Sequence, residues 1–87
     1  MIESIRKRNG EVVPFHQEKI TWAIFRAATA VGGDDWEKAE DLSRQVVQLA
    51  AGKLDGTVAD VEAIQDLVEK VLIENGHART AKAFILY

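Results

Sequence analysis

Ile5-Arg6-Lys7-Arg8-Asn9-Gly10-Glu11-Val12-Val13-Pro14-Phe15-His16-Gln17-Glu18-Lys19-Ile20 is the stretch that decides the fold. Asn9-Gly10 lies between two short runs able to pair, and both central residues of a type I′ hairpin turn require positive φ. A two-residue turn predicts that Arg8 faces Glu11, Lys7 faces Val12 and Arg6 faces Val13. Opposite charges then meet at the tip of the hairpin. Lys7 would lie on the other face from Arg6 and Arg8, sharing its side with Ile5 and Val12. Two readings fit a lysine among apolar neighbours. Its ammonium meets an anion, or it snorkels past them into water. Pro14 has no N–H for a ladder, so it ends the second strand or keeps it at a sheet edge.

Outward from the hairpin the pattern turns helical. Ile20, Ala23, Ile24, Ala27, Ala28 and Val31 recur at helical spacing and predict a first helix over about 17–31. Trp22 and Phe25 share a flank of it, suited to packing on a second helix or to a partner surface. Gly32-Gly33 breaks this helix. Asp34, followed three residues later by Glu37, predicts a capped second start, with Ala39, Leu42, Val46, Leu49, Ala50 and Leu54 as its stripe. Lys53 falls in the last turn, where a cation is favoured. Asp55-Gly56 reads as a turn and Thr57-Val58 as a brief third strand. A third helix is predicted over about 60–74, burying Val61, Ile64, Val68, Val71 and Leu72. Asn75-Gly76 stops it. A fourth starts near Ala78, burying Ala81, Phe84 and Ile85. The pattern is still running at Tyr87, as expected of an N-terminal piece of a longer chain.

The 87 residues (9.6 kDa) are 47% apolar and 29% charged, which describes one ordinary globular domain. A chain this short buries roughly 60–65% of its unfolded surface. No apolar run approaches the ~20 residues of a membrane span, and no signal peptide is readable. With no cysteine there are no disulfides or thiolate sites, which fits a cytoplasmic protein. The net charge of −3 argues against a nucleic-acid partner. Its distribution says more. Residues 1–20 hold four bases against three acids, and residues 34–75 hold eleven acids against four bases. A small basic end on an acidic body suits a compact anion; differently solvated faces give the same pattern.

No nucleophile, base and electrophile stabiliser assemble, so no catalytic residue is assigned. Ser43 has no histidine near it. His16 and His77 lack metal-like spacing, so no metal site is read. The six glycines are scattered, so any phosphate would be held by side chains. Lys7, Arg8 and Lys19 are the candidates, aided by the amides that open the first helix. His16 fits a phosphate contact or a helix cap. Ile20 and Val61 begin adjacent apolar faces, and Gln65 lies one turn beyond Val61, so an apolar slot with a polar reader is also on offer.

Lys7-Arg8-Asn9-Gly10, Phe15 and Lys19-Ile20-x-x-Ala23-Ile24 resemble, in order and spacing, the ATP-cone, a regulatory domain found at the N-terminus of many ribonucleotide reductases. Ile64-Gln65-Asp66-Leu67-Val68-Glu69 and Ala81-Lys82-Ala83-Phe84-Ile85-Leu86-Tyr87 extend the resemblance over nearly the whole chain. It implies an allosteric domain over residues 1–87 that binds ATP or dATP with magnesium and carries no catalytic cofactor. Occupancy would alter its docking on the catalytic core of its own or a neighbouring subunit. Carried over residue by residue, the implied ligand positions are Ile5, Lys7, Arg8, Val13, His16, Lys19, Ile20, Val61 and Gln65. Val13 and Val61 depart from polar residues and threonine found in some members, which touches the ribose and base contacts.

The expected fold is α+β and mostly helical: a β-hairpin, widened by Thr57-Val58, capping a four-helix bundle. Two other functions fit the same residues. One is a helical protein–protein interaction module anchored on Trp22 and Phe25. The other is the nucleotide-sensing part of a transcriptional repressor of reductase genes, although no cysteines of a zinc ribbon precede the hairpin.

Overall fold

Seven elements follow one another in the computed structural model, which describes residues 2–54 and 56–85. They are β1 (Ser4–Arg6), β2 (Val12–Pro14), α1 (Gln17–Ala30), α2 (Trp36–Lys53), β3 (Val58–Asp60), α3 (Val61–Glu74) and α4 (Ala78–Ile85). The expected α+β, mostly helical architecture is present. The strands form one sheet in the order β2-β1-β3, with β1 antiparallel to β2 and parallel to β3. Pro14 ends β2 on the outer edge, where its missing N–H costs nothing. The expected third strand is β3, and Thr57 just before it accepts the N–H groups of Glu3 (2.7 Å) and Ser4 (3.0 Å).

The hairpin differs from the expected register by one residue. Ile5 pairs with Val13 and Arg6 with Val12. The Gly10 N–H donates to Lys7 O (2.9 Å), and the Lys7 N–H donates to Glu11 O (2.8 Å). Gly10 alone takes positive φ (+90°), while Asn9 does not. This is the three-residue solution, a turn closed by a glycine bulge. Asn9 Oδ1 accepts the Glu11 N–H at 2.9 Å, which secures the tip. A shift of one residue moves side chains between faces. Val13 therefore joins Ile5 and Lys7, and Val12 turns outward, 50% exposed.

Glycine closes two helices as expected. After α1, Gly32 at φ +93° lets its N–H reach Thr29 O (3.2 Å) and the Gly33 N–H reach Ala28 O (2.8 Å). After α3, Gly76 at φ +83° repeats this, with Gly76 N–H on Ile73 O (3.0 Å) and His77 N–H on Leu72 O (2.8 Å). Both are Schellman closures. The cap of α2 is Asp35 rather than Asp34. Its Oδ1 accepts the Lys38 N–H at 3.0 Å, so the helix starts one residue later and Glu37 has no capping-box position. Of the Asp55-Gly56 turn, Asp55 lies outside the described residues, as do Leu86 and Tyr87 of the terminal pattern.

Ile24, Val46, Val71 and Leu72 are fully buried at the centre of the bundle. Ile85, expected inside, is 59% exposed: it is the last residue of α4 and lines an open cavity with residues of α1 and α3 instead of packing in the core. A buried polar contact ties α1 to α2. Thr21 Oγ1 donates to Ser43 Oγ at 2.7 Å, Ser43 donates to Glu40 O at 2.7 Å, and Gln17 Nε2 donates to Ser43 Oγ at 3.2 Å. Ser43 is thus a satisfied packing residue that fixes the two helices against each other.

Candidate nucleotide site

The hairpin runs directly into α1, so its inner face and the helix start lie side by side. The shifted register puts Ile5, Lys7 and Val13 on that face. The turn at Pro14, Phe15 and His16 then delivers Lys19 and Ile20 on the first turns of α1. From β3 the chain enters α3 at Val61, with Gln65 one turn on. These residues line one cavity of about 350 Å³. Ala23, Ile64, Val68 and Phe84 complete its apolar floor. That volume falls within the roughly 300–1,000 Å³ usual for small-molecule sites.

Ile5, Lys7, Val13, His16, Lys19, Ile20, Val61 and Gln65 are therefore gathered around one space. Arg8 is placed next to it. Its Nη2 donates to Gln65 Oε1 at 3.1 Å, and its Nε lies 3.6 Å from Glu62. With Gln65 it lines two adjoining depressions. Lys7 pairs with Glu11 at 3.4 Å, and both are exposed, so the pair is worth only about 0–1 kcal/mol and yields readily to a multivalent anion.

Both helices that begin at this end lack a side-chain cap. His16 has extended backbone (φ −129°, ψ 115°), as a capping residue should, but its imidazole makes no cap bond. The Lys19 N–H is taken by His16 O at 3.1 Å, which leaves the Gln17 and Glu18 amides as the ones with no partner in their own helix. At α3 the cap position is Asp60, whose carboxylate is instead held by Arg6 Nη1 at 3.0 Å.

Residues 3–87 match the family described as ATP cone domain. The chain belongs to the ATP-cone family. Three relatives show where such cones occur. The vitamin B12-dependent ribonucleoside-diphosphate reductase of Thermoplasma acidophilum is 42% identical over 92 residues, covering 100% of this chain and 12% of that protein. The enzyme of the same description from Mycobacterium tuberculosis is 39% identical over 83 residues, 95% of this chain and 11% of that protein. The anaerobic ribonucleoside-triphosphate reductase of Salmonella typhimurium is 34% identical over 88 residues, 100% of this chain and 12% of that protein. The cone thus spans about 12% of the length of these relatives.

Six lining residues of the cone's cavity were not assigned to the site from sequence: Pro14, Phe15, Ala23, Ile64, Val68 and Phe84. Ala23 carried a signal, since a small residue between isoleucines on an apolar stripe leaves room above it. Phe15 and Phe84 stand in the motifs, where an aromatic signals packing before it signals a ligand. Among the described residues no three metal-ligating side chains cluster, and no helix is long and apolar enough to cross a membrane.

Proposed function

We propose that this cone binds ATP or dATP in the 350 Å³ cavity and regulates a ribonucleotide reductase of which it forms part. The supporting observation is the union of an apolar floor, two lysines at the rim and an uncapped helix start in one small space. Lys7 and Lys19 take the phosphates as point charges, and the α1 amides donate to the same anion. Arg8 joins by exchanging Glu62 for a phosphate oxygen. Ile5, Val13, Ile20 and Val61 sandwich the base, and Gln65 reads its polar edge. With no carboxylate in the cavity wall, magnesium enters on the triphosphate. The two valines offer no hydroxyl, so ribose recognition rests on His16 and backbone groups.

On this reading the cone catalyses nothing, and reduction takes place elsewhere in a cytoplasmic parent protein. Nucleotide occupancy changes how the cone docks on the catalytic core of its own or a neighbouring subunit. The test is calorimetry and melting with Mg-ATP and Mg-dATP. At about 100 times Kd, a ligand of the folded state alone adds roughly 2.7 kcal/mol. For a domain of this size, that raises Tm on the order of ten degrees or more. Millimolar nucleotide producing neither heat nor a melting shift would refute the proposal.

A further inference from the structure

Trp22 is unusually placed for a large aromatic. Its ring is held by Trp36 (centroids 4.6 Å apart, interplanar angle 62°) and, more loosely, by Phe25 (6.1 Å, 83°). Phe25 and Trp36 in turn meet at 5.2 Å. Despite this support, Trp22 remains 49% exposed. Trp22 also borders a shallow depression formed with Lys19, Ala23 and Arg26. On α1 these four residues lie at spacings of three and four, so they share one face. Among the described residues neither Lys19 nor Arg26 has an ion-pair partner. Asp66 and Glu69, which share the adjoining cavity with Arg26, form no ion pair with it.

We infer that this face of α1 docks an acidic peptide segment of a partner protein, with one apolar side chain seated on Trp22 between Lys19 and Arg26. A rigidly backed, half-exposed tryptophan has the character of a binding anchor. The two cations flanking it select acidic residues on either side of the apolar contact. The rest of the chain is rich in acids, so this patch stands out as the complement of an acidic surface. A single-stranded nucleic acid would also stack on tryptophan, but it needs a basic groove along its backbone. Two cations about two turns of helix apart do not make one.

The experiment uses the 87-residue chain without nucleotide, so its outcome is independent of the proposed nucleotide site. A fluorescein-labelled synthetic peptide of alternating glutamate and leucine is titrated at low salt and followed by polarisation. Saturable binding is expected, weakening as salt is raised and falling about tenfold or more in Trp22→Ala. Arg26→Glu, an exposed change that leaves the core intact, should abolish measurable binding, and a lysine–leucine peptide should not bind. The inference is overturned by no saturation at millimolar peptide. Equal affinity for Arg26→Glu and the parent chain, or tighter binding of oligothymidylate than of the acidic peptide, would also overturn it.

Discussion

The two ends of α1 and α3 are finished differently. At their C-terminal ends the carbonyls are met by Schellman closures with glycine at Gly32 and Gly76. At their N-terminal ends neither helix has a side-chain cap, although His16 and Asp60 stand in the capping positions. Both helices thus close off one end internally and present open amides at the other, beside the apolar cavity and its lysines. Helix α2, whose start takes no part in that cavity, is capped by Asp35. The contrast separates residues that hold the bundle together from those that leave polar groups available to a ligand.

The contrast is broken if damage at the closed end changes nucleotide binding as much as damage at the open one. Leu72 is fully buried at the base of the second glycine closure. Leu72→Ala should cost about 2–5 kcal/mol in a urea or thermal melt. Where the variant still folds, the rise in Tm caused by saturating Mg-ATP should persist. Lys19→Ala should do the reverse. Losing one charge-assisted contact weakens nucleotide binding by about 1.5–3 kcal/mol, while the unliganded melt changes little because Lys19 is exposed. Isothermal titration of both variants separates the two effects.

The same contrast governs what could be read from the sequence. Glycine marks the closed ends clearly, because positive φ admits few other residues. Gly32-Gly33 and Asn75-Gly76 accordingly placed the helix ends to within a residue. At the open end the decisive signals were ambiguous. Asn-Gly serves a two-residue turn and a three-residue turn with a bulge equally well, and the choice moves Val13 to the opposite face. The resemblance named Val13 together with Ile5 and Lys7, which the two-residue register would have put on opposite faces. The partners of Arg8 were not legible, since Glu62 and Gln65 come near only when β3 pairs with β1. Nor was Trp36 readable as support for Trp22, because that contact joins two helices across a glycine break.

A smaller effect is expected from the glycines themselves. A Cβ on Gly76 or Gly32 would meet nothing within 4 Å, so alanine there costs backbone energy alone. Gly76→Ala should lower stability by roughly 1–2 kcal/mol, the cost of left-handed backbone for an L-residue. Nucleotide affinity should be unchanged. If affinity falls with stability in this variant, the two ends are coupled and the separation fails.

The smallest expected effect is the most informative. His16 already has the extended backbone of a capping residue, and it precedes a helix whose first turn contains Glu18. His16→Asp supplies the missing acceptor and places a negative charge at the positive end of the helix dipole. The unliganded protein should gain about 0.5–1 kcal/mol. The aspartate then occupies amides that a phosphate would otherwise use, and repels the phosphate as well. Nucleotide binding should therefore weaken about five- to tenfold, a loss on the order of 1 kcal/mol. His16→Asn separates the two causes, because it caps without charge and should show a smaller loss of affinity for a similar gain in stability. Opposite changes in stability and affinity are expected if the ligand uses the α1 amides, and His16→Ala, which loses the imidazole without supplying a cap, measures the share of the affinity loss that comes from the ribose contact. If His16→Asp stabilises the protein and leaves affinity intact, the helix start is no part of the site. The phosphates would then rest on Lys7, Lys19 and Arg8 alone.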